Sequence, residues 1–145
     1  IEISCPAEHI PYAEHDIELP TGVLQPDRDF NSQRYVLHVA ENASWQPWHI
    51  SGFECRDIGI AAATAGLASV QVARIKDVVA TATDNHDGEF LFMFVINGNC
   101  VLNCNGEHTL APGDAIVIPA KTDYSFDQCA DNLEMLEVVL PARLP

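Results

Sequence analysis

The chain has 145 residues and 15.9 kDa, 48% hydrophobic and 19% charged. That is the composition of one globular domain able to bury a core, and not of a disordered chain. Seven Lys and Arg stand against 21 Asp and Glu, a formal charge of −14, and a surface so acidic repels phosphate backbones and anionic lipid, so neither nucleic acid nor a membrane is an expected partner.

Residues 1–33 are rich in proline and acid: Pro6, Pro11, Pro20 and Pro26 alternate with Glu8, Glu14, Asp16 and Glu18. Little periodicity is present there. The stretch is expected to be an extended N-terminal arm, with at most an edge strand over 17–19. Residues 34–145 are expected to form a single all-β domain. Short β-rich runs follow at 34–39, 53–60, 68–75, 78–83, 89–96, 100–103, 107–110, 115–118, 124–126 and 133–140. Turn signals separate them, among them Asn97-Gly98, Asn105-Gly106 and Pro112-Gly113-Asp114. Many short strands at near-regular spacing indicate an all-β sandwich or barrel. Asn97-Gly98 and Asn105-Gly106 are the strongest local signals, since a type I′ turn needs positive φ at both central residues. Together they predict three strands in an antiparallel meander. Residues 61–66 are read as strand end and turn, being too short for a free-standing helix.

Alternation along 89–96 sends Leu91, Met93 and Val95 to one face, and Phe90, Phe92 and Phe94 to the other. Glu137 alternates with Met135 and Val139, so it either enters the barrel, where it would make an acid/base pair with His86, or lies outside as a surface charge. Cys100 and Cys104 sit roughly 13 Å apart along one strand, too far for a disulfide between them, and read as apolar fillers. The five cysteines, Cys5, Cys55, Cys100, Cys104 and Cys129, are an odd number with no disulfide pattern and suggest reduced thiols in a cytoplasmic protein. Trp48 and His49 either form an aromatic lip over a pocket or cover a core edge. His108, His9 and His15 are expected in solvent.

Two segments resemble the paired motifs of the cupin superfamily. In the first, Asp84-Asn85-His86 stands where that family has His-x-His, Leu91 where it has Glu, and Gly98 closes the motif. In the second, Gly113-Asp114 and Pro119 match, and Tyr124 stands where the family has its last His. The turn framework is kept, while only His86 keeps its type among the four metal-ligand positions. The resemblance implies a double-stranded β-helix jelly-roll barrel, a homodimer and a pocket at the barrel mouth. With Leu91 apolar, Asp84, His86 and Tyr124 make a poor set for a divalent transition metal, which remains the weaker alternative to no cofactor at all. The expected pocket lining is Asp84, His86, Leu91, Met93 and Tyr124, with Trp48 and His49 at the mouth. His86 and Tyr124 are the candidate catalytic pair. The expected function is small-molecule binding without a conventional metal centre. The alternatives are a metal-dependent or metal-free enzyme of dioxygenase, isomerase or decarboxylase type, and an interaction module with a filled pocket.

Overall fold

The computed structural model describes residues 32–77 and 82–142, together with Gly22. The strand expected at 17–19, most of that at 78–83, and Cys5, His9 and His15 lie outside the described residues. Among the described residues nine strands form: β1 (Gln46–Pro47), β2 (Phe53–Asp57), β3 (Ser69–Ile75), β4 (Phe90–Asn97), β5 (Cys100–Asn103), β6 (Glu107–Leu110), β7 (Ala115–Ile118), β8 (Ser125–Asp127) and β9 (Glu134–Leu140). One helical turn, α1 (Ile60–Ala63), lies between β2 and β3. The strands make a six-stranded sheet in the order β1-β2-β3-β9-β4-β7 and a three-stranded sheet in the order β6-β5-β8. Every pair is antiparallel.

The inner faces of the two sheets share one core. Phe53, Ala73, Leu91, Met93, Val95, Ile118 and Met135 enter it from the larger sheet, and Cys100, Leu102, Leu110 and Phe126 from the smaller. The period-2 alternation of β4 sets this up, because Leu91, Met93 and Val95 are buried while Phe90, Phe92 and Phe94 are half-buried on the outer face. The outer face of β3 and β9 is covered in part by α1 and by residues 33–36. Arg34 N–H donates to the Ala63 carbonyl at 2.8 Å, and Val36 packs close to Gly59.

Three sequence expectations are corrected. Residues 34–39 form no strand; they run extended, with Tyr35 and Leu37 turned to solvent. β-rich composition does not make a strand where no neighbouring edge is offered. Residues 61–63 are not a strand end but the end of α1, and the expected turn follows at 64–66 as its C-terminal closure. Thr64 returns its N–H and its hydroxyl to the Ile60 carbonyl, and Gly66 at φ 85° donates to Ala61 at 2.8 Å. Asn97-Gly98 is not a hairpin turn either. β4 and β5 do not pair, since β4 lies between β9 and β7 while β5 lies between β6 and β8. Of the two central residues only Gly98 has positive φ, 71°, and the chain turns a corner there from one sheet to the other. The meander therefore reduces to the β5–β6 hairpin, whose loop has Asn105 at φ 51° and Gly106 at φ 134°.

Gly98 is required twice over. Its φ is left-handed, and a Cβ there would lie 2.6 Å from the Leu133 Cα. Gly98→Ala is therefore expected to lose roughly 2 kcal/mol or more in urea unfolding. A variant as stable as the wild-type chain would show that the corner is not tight.

Candidate functional site

The hairpin joining β1 to β2 folds back over one end of the barrel. Trp48 N–H donates to Phe53 O at 3.2 Å and Phe53 N–H to Ile50 O at 3.3 Å. This buries Trp48 and Ile50 and leaves His49 between them with a third of its side chain exposed. On β9 the inward row is Met135, Glu137 and Val139. Glu137 is 3% exposed and sits in register with Gln71 on β3 and Met93 on β4. His49 spans from this carboxylate to a second one. Its Nε2 lies 3.0 Å from Glu137 Oε2 and its Nδ1 2.8 Å from Asp84 Oδ2. Trp48 Nε1–H donates to Glu137 Oε1 at 3.4 Å. Tyr124 O–H donates to Asp84 Oδ2 at 3.2 Å, and Asn85 N–H donates to Asp84 Oδ1 at 2.9 Å. Asp84 and Tyr124 are held opposite each other by a two-bond backbone bridge of 2.8 and 2.9 Å.

A pocket of about 220 Å³ opens beside this cluster. Its polar walls are Gln46, His49, Ser69, Gln71 and Glu137. Burial on its own would push the His49 imidazole down, but the hydrogen bonds and charges of Glu137, then Asp84, outweigh it and hold it above the ordinary 6.5. Burial, reinforced by the charges of Asp84 and Glu137, raises the Tyr124 phenol far above its usual range, so it stays protonated. Cys55, also on the pocket wall, is raised by burial and is a poor nucleophile. Burial pushes Cys100 up to about 12 and Cys129 to about 11. Cys100 and Cys104 pack on the core as apolar fillers.

Among solved structures, the chain is similar to KdgF from Halomonas sp. (TM-score 0.62, 17% identity, 73% of this chain and 94% of that one). It is similar to an RmlC-like cupin from Shewanella frigidimarina (TM-score 0.62, 14% identity, 77% and 96%). A Streptomyces nucleoside dehydratase is also similar (TM-score 0.55, 19% identity, 75% and 84%). No family model and no curated protein matches the sequence.

The fold is the cupin fold. Barrels of the cupin superfamily, as the motif resemblance implies, carry metal ligands at the places here held by Asp84, His86, Leu91 and Tyr124. These four do not fit a metal ion. Leu91 is fully buried in the core and has no donor atom. Tyr124 is committed to Asp84, and Asp84 to Tyr124 and His49. His86, 2% exposed, donates from Nε2 to the Ile118 carbonyl at 2.8 Å. Its Nδ1, the one buried side-chain nitrogen or oxygen left without a hydrogen-bond partner among the described residues, is one donor where a centre needs about three. No group of three or more His, Cys, Asp or Glu suited to a metal is present among the described residues.

Of the residues singled out in the sequence, Trp48 and His49 line the pocket. Asp84 and Tyr124 stand behind His49, Leu91 and Met93 are core, and His86 faces the Ile118 carbonyl rather than Tyr124 or Asp84. Glu137 does enter the barrel, but its imidazole partner is His49, not His86. Ser69 and Gln71 went unread. Their signal is a polar pair at the inward positions of β3, ahead of Ala73 and Ile75.

A His whose native value lies above its unfolded one stabilises fully below about 6.5 and loses that contribution as pH rises through the native value. The His49 ring resonances, followed by NMR, are therefore expected to titrate above 6.5. Thermal stability should fall across the same interval, and less steeply in His49→Gln. A midpoint at or below 6.5 would mean that the two carboxylates do not grip the ring in solution.

Proposed function

We propose that this cupin-fold protein binds a small uncharged polar molecule in the pocket beside Glu137 and exchanges a proton with it, as an isomerase or dehydratase does, without a conventional metal centre. The observation that carries the reading is a carboxylate buried to 3% exposure on a pocket wall and oriented by two donors, His49 and Trp48. A carboxylate so placed is kept from water and faces a ligand as general base, and its conjugate acid returns the proton. Gln46, Ser69 and Gln71 offer neutral hydrogen-bond partners for hydroxyl or carbonyl groups, while Asp84 and Glu137 outweigh the one imidazolium and disfavour anions. A volume of about 220 Å³ lies below that of drug-sized pockets, roughly 300–1,000 Å³, so the ligand is small. The nucleoside dehydratase among the similar structures, solved also with uridine, supports a neutral hydroxylated ligand.

The acidic chain is also proposed to form a homodimer through its uncharged outer face. Phe90 and Phe92 stack there in parallel at 6.3 Å, beside Phe94 and Val117, the latter 56% exposed. A charge such as Val117→Glu is expected to convert the dimer to monomer in light scattering; a wild-type chain that is monomeric at micromolar concentration would refute this.

The functional reading is tested by a thermal-shift panel of neutral monosaccharides, nucleosides and hydroxyketones beside dicarboxylates. Neutral members should raise the melting temperature of the wild-type protein, and Glu137→Gln should weaken their binding about tenfold, the loss of one charge-assisted hydrogen bond. Incorporation of solvent deuterium next to the ligand carbonyl should vanish in Glu137→Gln. Binding confined to dicarboxylates, or exchange that survives the substitution, would defeat the proposal.

A further inference from the structure

We propose that the side chain of His49 is a resident cation, taking in this barrel the place of the metal ion around which the cupin motifs are built. The inference deepens the functional reading and rests on the same cluster, yet its test needs neither a ligand nor turnover. Both ring nitrogens lie within hydrogen-bond distance of carboxylate oxygens, 2.8 Å and 3.0 Å. An ionised carboxylate only accepts, so both nitrogens carry hydrogen, and an imidazole with two N–H groups is a cation. Its partners come from separate elements. Glu137 is brought by β9, and Asp84 by the segment that bridges to Tyr124. Of the four motif positions, Asp84 is thus bonded to His49, Tyr124 donates to Asp84 behind it, and Leu91 contributes no donor.

The cluster is also the wrong size for an ion. The oxygens approach the ring from opposite nitrogens at 2.8 and 3.0 Å, whereas an ion needs all its donors at about 2.0–2.2 Å from one point. Taking an ion up would require the ring to leave and the carboxylates to move together. Because His49 arrives on the β1–β2 hairpin, outside both motifs, the charge is tethered and cannot be lost to chelators. Glu137, almost wholly buried, requires such a charge beside it.

The test compares charge with shape. His49→Ala should lower the melting temperature at neutral pH by about 5 °C or more. Added imidazole should restore at least half of that loss. Pyrazole, equal in size but far too weak a base to be cationic, should restore none. Equal rescue by pyrazole, failure of imidazole to rescue, or a variant as stable as wild type would overturn the proposal. So would a near-stoichiometric transition metal in untagged wild-type protein whose chelation lowers the melting temperature.

If His49→Ala does not fold, His49→Gln with and without Glu137→Gln decides the matter. Glu137→Gln should lower the melting temperature in the wild-type background and raise it in the His49→Gln background. That reversal of sign follows only if the two residues are coupled through charge, and the same sign in both backgrounds would refute the resident cation. Failure of the ligand panel together with imidazole-specific rescue would leave the cation standing and remove only the functional reading.

Discussion

A carboxylate inside a β-barrel is held there only if something beside it answers its charge. Glu137 is that carboxylate, and the imidazole of His49, with the Trp48 indole, is the answer. Isolating such a group in an apolar interior costs several kcal/mol or more, so its neighbours cannot be chosen freely. The hairpin from β1 to β2 must lie over the barrel end to deliver His49. Asp84 must be close enough to take the second ring nitrogen, and Tyr124 must close over Asp84. Four separated parts of the chain are thereby tied to a single charge balance.

The rest of the barrel divides around that point. Toward β5, β6 and β8 the interior is apolar, filled by Cys100, Leu102, Leu110 and Phe126 against Phe53, Leu91 and Val95. Toward the β1–β2 hairpin the inward positions of β3 and β9 become polar, with Ser69, Gln71 and Glu137. The register puts Gln71 and Met93 on either side of Glu137 in one cross-strand row, so the boundary between core and pocket runs through a single row of the sheet. A ligand seated there meets hydrogen-bonding groups on the pocket side and close-packed side chains behind them.

The strand ladder was largely legible. Strands at 100–103, 107–110 and 115–118 form with the expected bounds, and the alternation of 89–96 places its side chains as expected. These readings rest on periods and turn residues that act over a few positions. The readings that failed depend on partners. Residues 34–39 have strand composition but pair with no edge among the described residues. Asn97-Gly98 has hairpin chemistry, yet β5 pairs with β6 and β8 in the second sheet, and Gly98 stands at the corner, where a Cβ would lie 2.6 Å from the Leu133 Cα.

The same division holds for the site. The amino-acid sequence on its own determined that the chain is all-β and that Leu91, Met93 and Val95 share one face of their strand, for which local periodicity suffices. The jelly roll was implied by the motif resemblance, and that Leu91 and Met93 are core and not pocket lining was decided by the fold. What only the tertiary structure decided is which histidine meets Glu137. His86 sits in the motif spacing and turns to a backbone carbonyl. His49 lies 35 positions from Asp84 and 88 from Glu137, and no local pattern relates them. They meet because the six-stranded sheet sets the inward face of β9 under the β1–β2 hairpin, and a buried charge accepts whichever partner the folded chain brings within about 3 Å.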